Sequence, residues 1–230
     1  MKEFSRRELV GGLAVGGAAV LLSAGSVRAD DEVPGGAVHK VKKFKNEDFY
    51  DKAGTFDAKA AKEAYYKMMK WFEYPIVPRL RTDDFWTLDF GLGIFTEVGM
   101  AGIFWMNNKE HNYMGHEIWL LPGQMIPEHW HVKVDDIPAK LEGWLVRHGS
   151  AYLYGEGEPT PGVLERISPS HRECAVARKE LFLKPGEIKM LGKAEEKHSM
   201  PAGPEGAIVT EVATFHDMKA LRFSHPKVKL

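Results

Sequence analysis

Two histidines stand one residue apart at positions 129 and 131, in the stretch PEHWH, in a chain with only ten histidines. In an extended strand, residues i and i+2 face the same side, so His129 and His131 aim two imidazoles into one space. A pair of this kind suits either two hydrogen-bonded core histidines or half of a metal shell. Three further features favour the metal. Glu142 follows eleven residues after His131, at the start of the next strand-like run, where a hairpin neighbour would set its carboxylate against the imidazoles. His198 lies in EEKHSMPAG, after a Pro-Gly turn and just before the final strands. The segment between, VKVDDIPAKL, is polar enough to loop over a site mouth. Three imidazoles and one carboxylate suit Mn²⁺, Fe²⁺, Co²⁺, Ni²⁺ or Zn²⁺, with open positions for two substrate oxygens. Other donors compete: Asp135 and Asp136, four and five residues after His131, and His116, His148 and His216. Spacing favours Glu142 over the two aspartates, which also read as solvated loop charge.

The elements that must position these residues are mainly strands. After Pro75 come short segments rich in aromatic and β-branched residues, separated by turns: FWTLDFGLG, VGMAGIFWMNN, HEIWLLPGQMIPEHWH, WLVRHGSAYLYGEG, KELFLKPGEIKML and GAIVTEVATF. Evenly spaced short strands with Gly and Pro turns predict an antiparallel barrel or sandwich. Before Pro75 the texture is helical. Asp57 is a suitable N-cap, and Tyr65, Met68, Met69 and Phe72 recur at i, i+3, i+4 and i+7, one apolar stripe for packing. Residues 30–55 are polar and irregular, an arm or linker.

The first 29 residues read as an export signal rather than as fold. A twin-arginine pattern, Ser5-Arg6-Arg7-Glu8-Leu9-Val10, precedes a run from Leu9 to Leu22 of only apolar residues and glycine, and Val27-Arg28-Ala29 offers a cleavage site. The run is short of the ~18 apolar residues a spanning helix needs, so no stable membrane anchor is expected. This gives three regions: 1–29 signal, 30–75 arm and helix, 76–230 barrel. Residues 1–29 carry four basic and two acidic side chains, so their removal takes the formal charge from −1 to −3. No basic stripe stands out, which argues against nucleic acid. Cys174 is the sole cysteine, which excludes an intrachain disulfide and a cysteine metal site. The apolar helix and the arm suit a homodimer.

The blocks LLPGQMIPEHWH, PAKLEGWLVRHGSAYLYGEGEPTP, LFLKPGE and KHSMPAGPEGAIVTEVATF resemble, in order and spacing, the D-lyxose isomerase family. The similarity runs from about Asp89 to about Phe223. It implies a mainly β fold, a single cupin barrel of jelly-roll type with an N-terminal helical segment. It implies aldose–ketose isomerisation, typically D-lyxose to D-xylulose, with Mn²⁺. Position by position it implies His129, His131, Glu142 and His198 as metal ligands, which decides for Glu142 over the aspartates. It further implies Lys140, two residues before the ligand glutamate, and Glu211, in VTEVATF, as the residues acting on substrate.

Those residue types fit the chemistry. Moving a carbonyl from C1 to C2 removes a proton next to a carbonyl and returns it to the neighbouring carbon. A divalent metal stabilises the charge on oxygen. A carboxylate such as Glu211 carries the proton, with its pKa raised by partial burial. Lys140 serves the hydroxyl proton or the charge on oxygen. An unpartnered carboxylate within apolar VTEVATF would be costly, and Arg222 is a candidate structural partner for it. Trp130, Trp144, Tyr152 and Phe215 are candidates for sugar-stacking walls or for core. Two other readings remain at this stage: an exported dioxygenase that uses the same shell and has no need of Glu211, and a non-catalytic sugar- or metal-binding module.

Overall fold

The computed structural model describes residues 44–230, so the 1–29 signal and the first part of the arm lie outside the described residues. From Phe44 the arm packs onto its own domain: Phe49 is buried, with its ring 4.8 Å from that of Phe95. Helix α1 spans Ala58–Trp71. The Asp57 carboxylate accepts the backbone N–H groups of Lys59 (3.0 Å) and Ala60 (2.9 Å), the donors a helix start leaves unpaired. Tyr65, Met68 and Met69 are fully buried as the stripe predicts, while Phe72 falls just beyond the helix as its C-cap. The stripe is therefore spent on the protein's own core. Among the described residues no helix is long and apolar enough to cross a membrane.

Nine strands follow, all paired antiparallel: β1 (Trp86–Leu88), β2 (Met100–Asn108), β3 (Tyr113–Leu120), β4 (Met125–His131), β5 (Glu142–Gly155), β6 (Lys179–Leu183), β7 (Ile188–Met190), β8 (His198–Ala213) and β9 (Leu221–Phe223). The order β1-β2-β3-β8-β4-β9 forms a curled sheet, with β5 along the other side of β8 and β6 and β7 on β5. This is the cupin-like, mostly β fold expected. FWTLDFGLG contributes only a three-residue strand, and the LRF strand β9 was not among the predicted segments.

Alternation along the strands sorts side chains to two faces. Ala101, Ile103, Trp119 and Ile208 pack with Tyr65, Met68 and Met69 of α1 on the outer face. Met100, Ile118, Leu120, Val209 and Val146 fill the inner face. The long strands β5 and β8 bend together where their register shifts. There Gly149 (φ 67°) faces Gly206 (φ 86°), and a Cβ on Gly149 would run into the Gly206 carbonyl. Only glycine takes this pair of positions without strain.

Candidate metal centre and active site

The inner face carries polar groups in one row across the sheet. Phe104, His116, Glu211 and Trp144 stand in register on β2, β3, β8 and β5. His129 and His131 come from β4, which bulges at Pro127–Glu128. Proline cannot donate to the ladder, so it belongs at such a bulge. The bulge sends Glu128 away from the site. Its carboxylate accepts the backbone N–H groups of Val176 (2.8 Å) and Ala177 (2.7 Å) and the hydroxyl of Ser224, pinning β4 to the loops around it. His198 opens β8 and is paired in register with His129.

Among the described residues, one set of metal-donor side chains converges: His129, Glu142 and His198 each bring a donor atom within 4.8 Å of the others. The His129 Nδ1–H donates to the Pro127 carbonyl (2.9 Å) and the His198 Nδ1–H to that of Glu196 (2.8 Å). These bonds fix the tautomers and leave both Nε2 atoms as lone pairs. The two Nε2 atoms face each other at 3.0 Å, and Glu142 Oε1, without a hydrogen-bond donor, lies 3.3 Å from that of His198. Lone pairs and a carboxylate oxygen aimed at one another are unfavourable unless a cation lies between them. Burial pushes His129 down to about 4 and His198 well below its ordinary value, so both imidazoles stay neutral, as metal ligation requires. The three residues fit a divalent metal. His131 Nε2 is 3.5 Å from the same Glu142 oxygen, and neither of its ring nitrogens has a partner.

Lys140 sits beside this set, buried, on the loop that Leu141 and Thr214 tie down through mutual hydrogen bonds. Its ammonium is 2.7 Å from Glu142 Oε2 and pairs with Glu211 Oε1. Glu211 Oε2 is bonded by His116 Nδ1 at 3.0 Å. Burial alone would raise Glu211, but Lys140 and then His116 outweigh it and hold the carboxyl well below the usual range. The expected upward shift is therefore reversed by two partners that sequence spacing did not place beside it. Burial raises Glu142 well above its usual value, with Lys140 offsetting part of the rise. Two buried carboxylates share one ammonium, and a cation at the histidines would take the place of the proton that burial holds on Glu142. The Arg222 guanidinium instead donates to the Lys219 (2.7 Å) and Leu221 (2.8 Å) carbonyls.

These groups open on a cavity of about 390 Å³. Of the aromatics expected in its wall, only Trp144 lines it. Trp130 carries the Lys197 ammonium 4.6 Å over its ring, and Tyr152 packs on Phe182. Trp86, Phe104 and Phe223 supply the wall instead. His116 packs against both Phe104 and Trp86, at ring centroid distances of 4.5 and 5.5 Å, and those two rings also touch each other at 6.0 Å. His216 also stacks on Phe104, at 5.3 Å. Its backbone N–H and C=O are both clamped by the Asn107 side chain at 2.9 Å. Sequence reading had His116 and His216 only as spare ligands. The signal that could have placed His116 is its alternation with the apolar residues of β3. His148 lies on the outer face against Phe72 and Tyr74. Asp135 and Asp136 are exposed in the loop, with Asp136 3.5 Å from the Lys109 ammonium.

Among curated proteins, the D-lyxose/D-mannose isomerase of Thermosediminibacter oceani is 32% identical over 171 residues, 74% of this chain and 92% of that protein. This chain belongs to the D-lyxose isomerase family. The D-lyxose ketol-isomerase of Cohnella laeviribosi is 35% identical over 141 residues, 61% of this chain and 76% of that protein. No family model matches the chain. Among solved structures, the L-ribose isomerase of Cellulomonas parahominis covers 79% of this chain and 95% of its own, with a TM-score of 0.60 and 13% identity. That of Acinetobacter sp. DL28 in complex with L-ribose gives 0.59 and 14%, with the same coverage. These neighbours establish the fold of this D-lyxose isomerase family member. Its relatives make it an isomerase of the ketol type, an intramolecular oxidoreductase.

Proposed function

We propose that this isomerase depends on a divalent metal and converts D-lyxose to D-xylulose and D-mannose to D-fructose by proton transfer. The observation that carries the reading is the contact of one ammonium, Lys140, with both Glu142 of the metal set and Glu211 of the cavity wall. Metal chemistry and proton chemistry thereby share one site. His129, His131, Glu142 and His198 would hold the ion, with Mn²⁺ favoured and Co²⁺, Fe²⁺, Ni²⁺ or Zn²⁺ suitable. Bound there, it would supply Lewis-acid polarisation of the sugar carbonyl and offset negative charge on oxygen.

The chain's own residues do the rest. Glu211, ionised through its contacts with Lys140 and His116, accepts the C2 proton and returns it to C1. Each of its oxygens keeps a lone pair beyond the bond it already accepts. Lys140 passes the hydroxyl proton from O2 to O1, so the product is an isomer and every group returns to its starting state. His116 acts through Glu211: packed against Phe104 and Trp86, it fixes the direction of the carboxylate. Glu211 has no task in a dioxygenase or a passive binding module, so its place in this wall favours the isomerase.

Loading the protein with Mn²⁺ and adding D-lyxose or D-mannose should give ketose, with activity lost on chelation and restored by the metal. Metal-independent turnover, or none with metal bound, would overturn the reading. Export of the folded chain through the twin-arginine route is part of the proposal. Replacing Arg6 and Arg7 by lysine should leave the precursor in the cytoplasm. A homodimer is also proposed, supported by the exposed apolar side chains Leu181, Phe182, Ile188 and Met190 on the short strands β6 and β7. Sedimentation of residues 30–230 tests it.

A further inference from the structure

The cavity wall is polar at one end and apolar elsewhere. His129, His131, Lys140 and Glu211 are committed to the metal and the proton. Beyond them, no amide, guanidinium or further carboxylate side chain lines the cavity among the described residues. His116 and His216 also line it, but His116 Nε2 and His216 Nδ1 are fully buried, so neither nitrogen is presented to a ligand. Thr87 also touches the cavity, but alternation along β1 sets it opposite Trp86 and Leu88.

The change from polar to apolar follows the strands. One two-residue step from His116 along β3 is Ile118, and one step beyond Gly102 along β2 is Met100, paired with Leu88. Each step is about 6.6 Å. Aliphatic side chains therefore take over a single step from His116 and Glu211. Phe90, Ile126 and Phe223 complete the apolar part. A sugar whose reacting carbons lie at Glu211 and Lys140 presents the end remote from its carbonyl to hydrocarbon. A hydroxyl there has no partner and loses its water. A methyl group gains by the same burial.

We propose that the preferred substrate is an aldose with an apolar remote end, and that a 6-deoxyaldohexose is the simplest member of that class. The proposal rests on the isomerase reading and goes beyond it in choosing among sugars. D-Mannose and 6-deoxy-D-mannose share every stereocentre and both close to six-membered rings, so they differ at the site only in the terminal hydroxyl.

The test measures kcat/KM for ketose formation from D-mannose, 6-deoxy-D-mannose and D-lyxose, using the same Mn²⁺-loaded protein. A methyl group against a hydrophobic wall should favour the deoxy sugar over D-mannose by about 10-fold or more. A smaller ratio, or turnover of D-lyxose without turnover of 6-deoxy-D-mannose, would overturn the substrate proposal and leave the isomerase reading standing. Failure of all three sugars with metal shown to be bound would overturn both.

Discussion

At the scale of single residues, the account turns on which side chain does which task. Replacing Glu211 by glutamine keeps its shape and its place beside Lys140 but removes the base. Turnover should fall by about 10²- to 10⁴-fold, the usual share of a general base, while Mn²⁺ stoichiometry stays unchanged by elemental analysis. Lys140→Met leaves Glu142 and Glu211 facing one another without their shared ammonium. Losing one member of a buried ionic group costs about 3–5 kcal/mol, so thermal unfolding should move down clearly along with activity. The donor set was legible because its members sit at strand spacing and beside turns, and because the family pattern decided between Glu142 and the aspartates. His116 was not legible as the partner of Glu211. The two are 95 residues apart and meet only through the register of β3 on β8.

At the scale of elements, register turns residue types into a site. Gly102 shows this: a Cβ there would run into the His116 ring, with Trp86 on its other side. Gly102→Ala should therefore push His116 off Glu211. The expected result is a loss in kcat with KM and metal content little changed, and circular dichroism should show the strands intact. The alternation of apolar residues predicted most strands, and the Pro-Gly turns predicted where they end. It did not predict which strand lies beside which. It also missed β9, whose three residues are too few to show a period. The bend shared by β5 and β8 was equally hidden, since it needs Gly149 and Gly206 to meet across a ladder.

At the scale of the whole molecule, the curled sheet is stable because both its faces are covered. The outer face depends on α1, where Met68 and Met69 are fully buried against the strands. Met68→Ala should cost about 2–5 kcal/mol, read in denaturant unfolding, and should leave the activity of the folded fraction intact. The helix itself was legible from its cap and stripe. The surface it covers was not, because that surface is assembled from β2, β3 and β8. Metal should act on the whole fold as well. An ion held at 100 times its dissociation constant adds about 2.7 kcal/mol, which for a domain of this size raises the melting temperature by about 5–10 °C. His198→Ala should abolish that shift, because it removes one of the two facing lone pairs.

The central claim is that Glu211 carries a proton between C1 and C2 at a metal-held sugar. The most direct test runs the Mn²⁺-loaded wild-type protein and its Glu211→Gln variant with D-lyxose in D₂O, followed by proton NMR. Deuterium appearing at C1 of the ketose with the wild-type protein, and neither ketose nor exchange with the variant, is the predicted result. Ketose formed equally well by the variant, with the same deuterium content at C1, would contradict it.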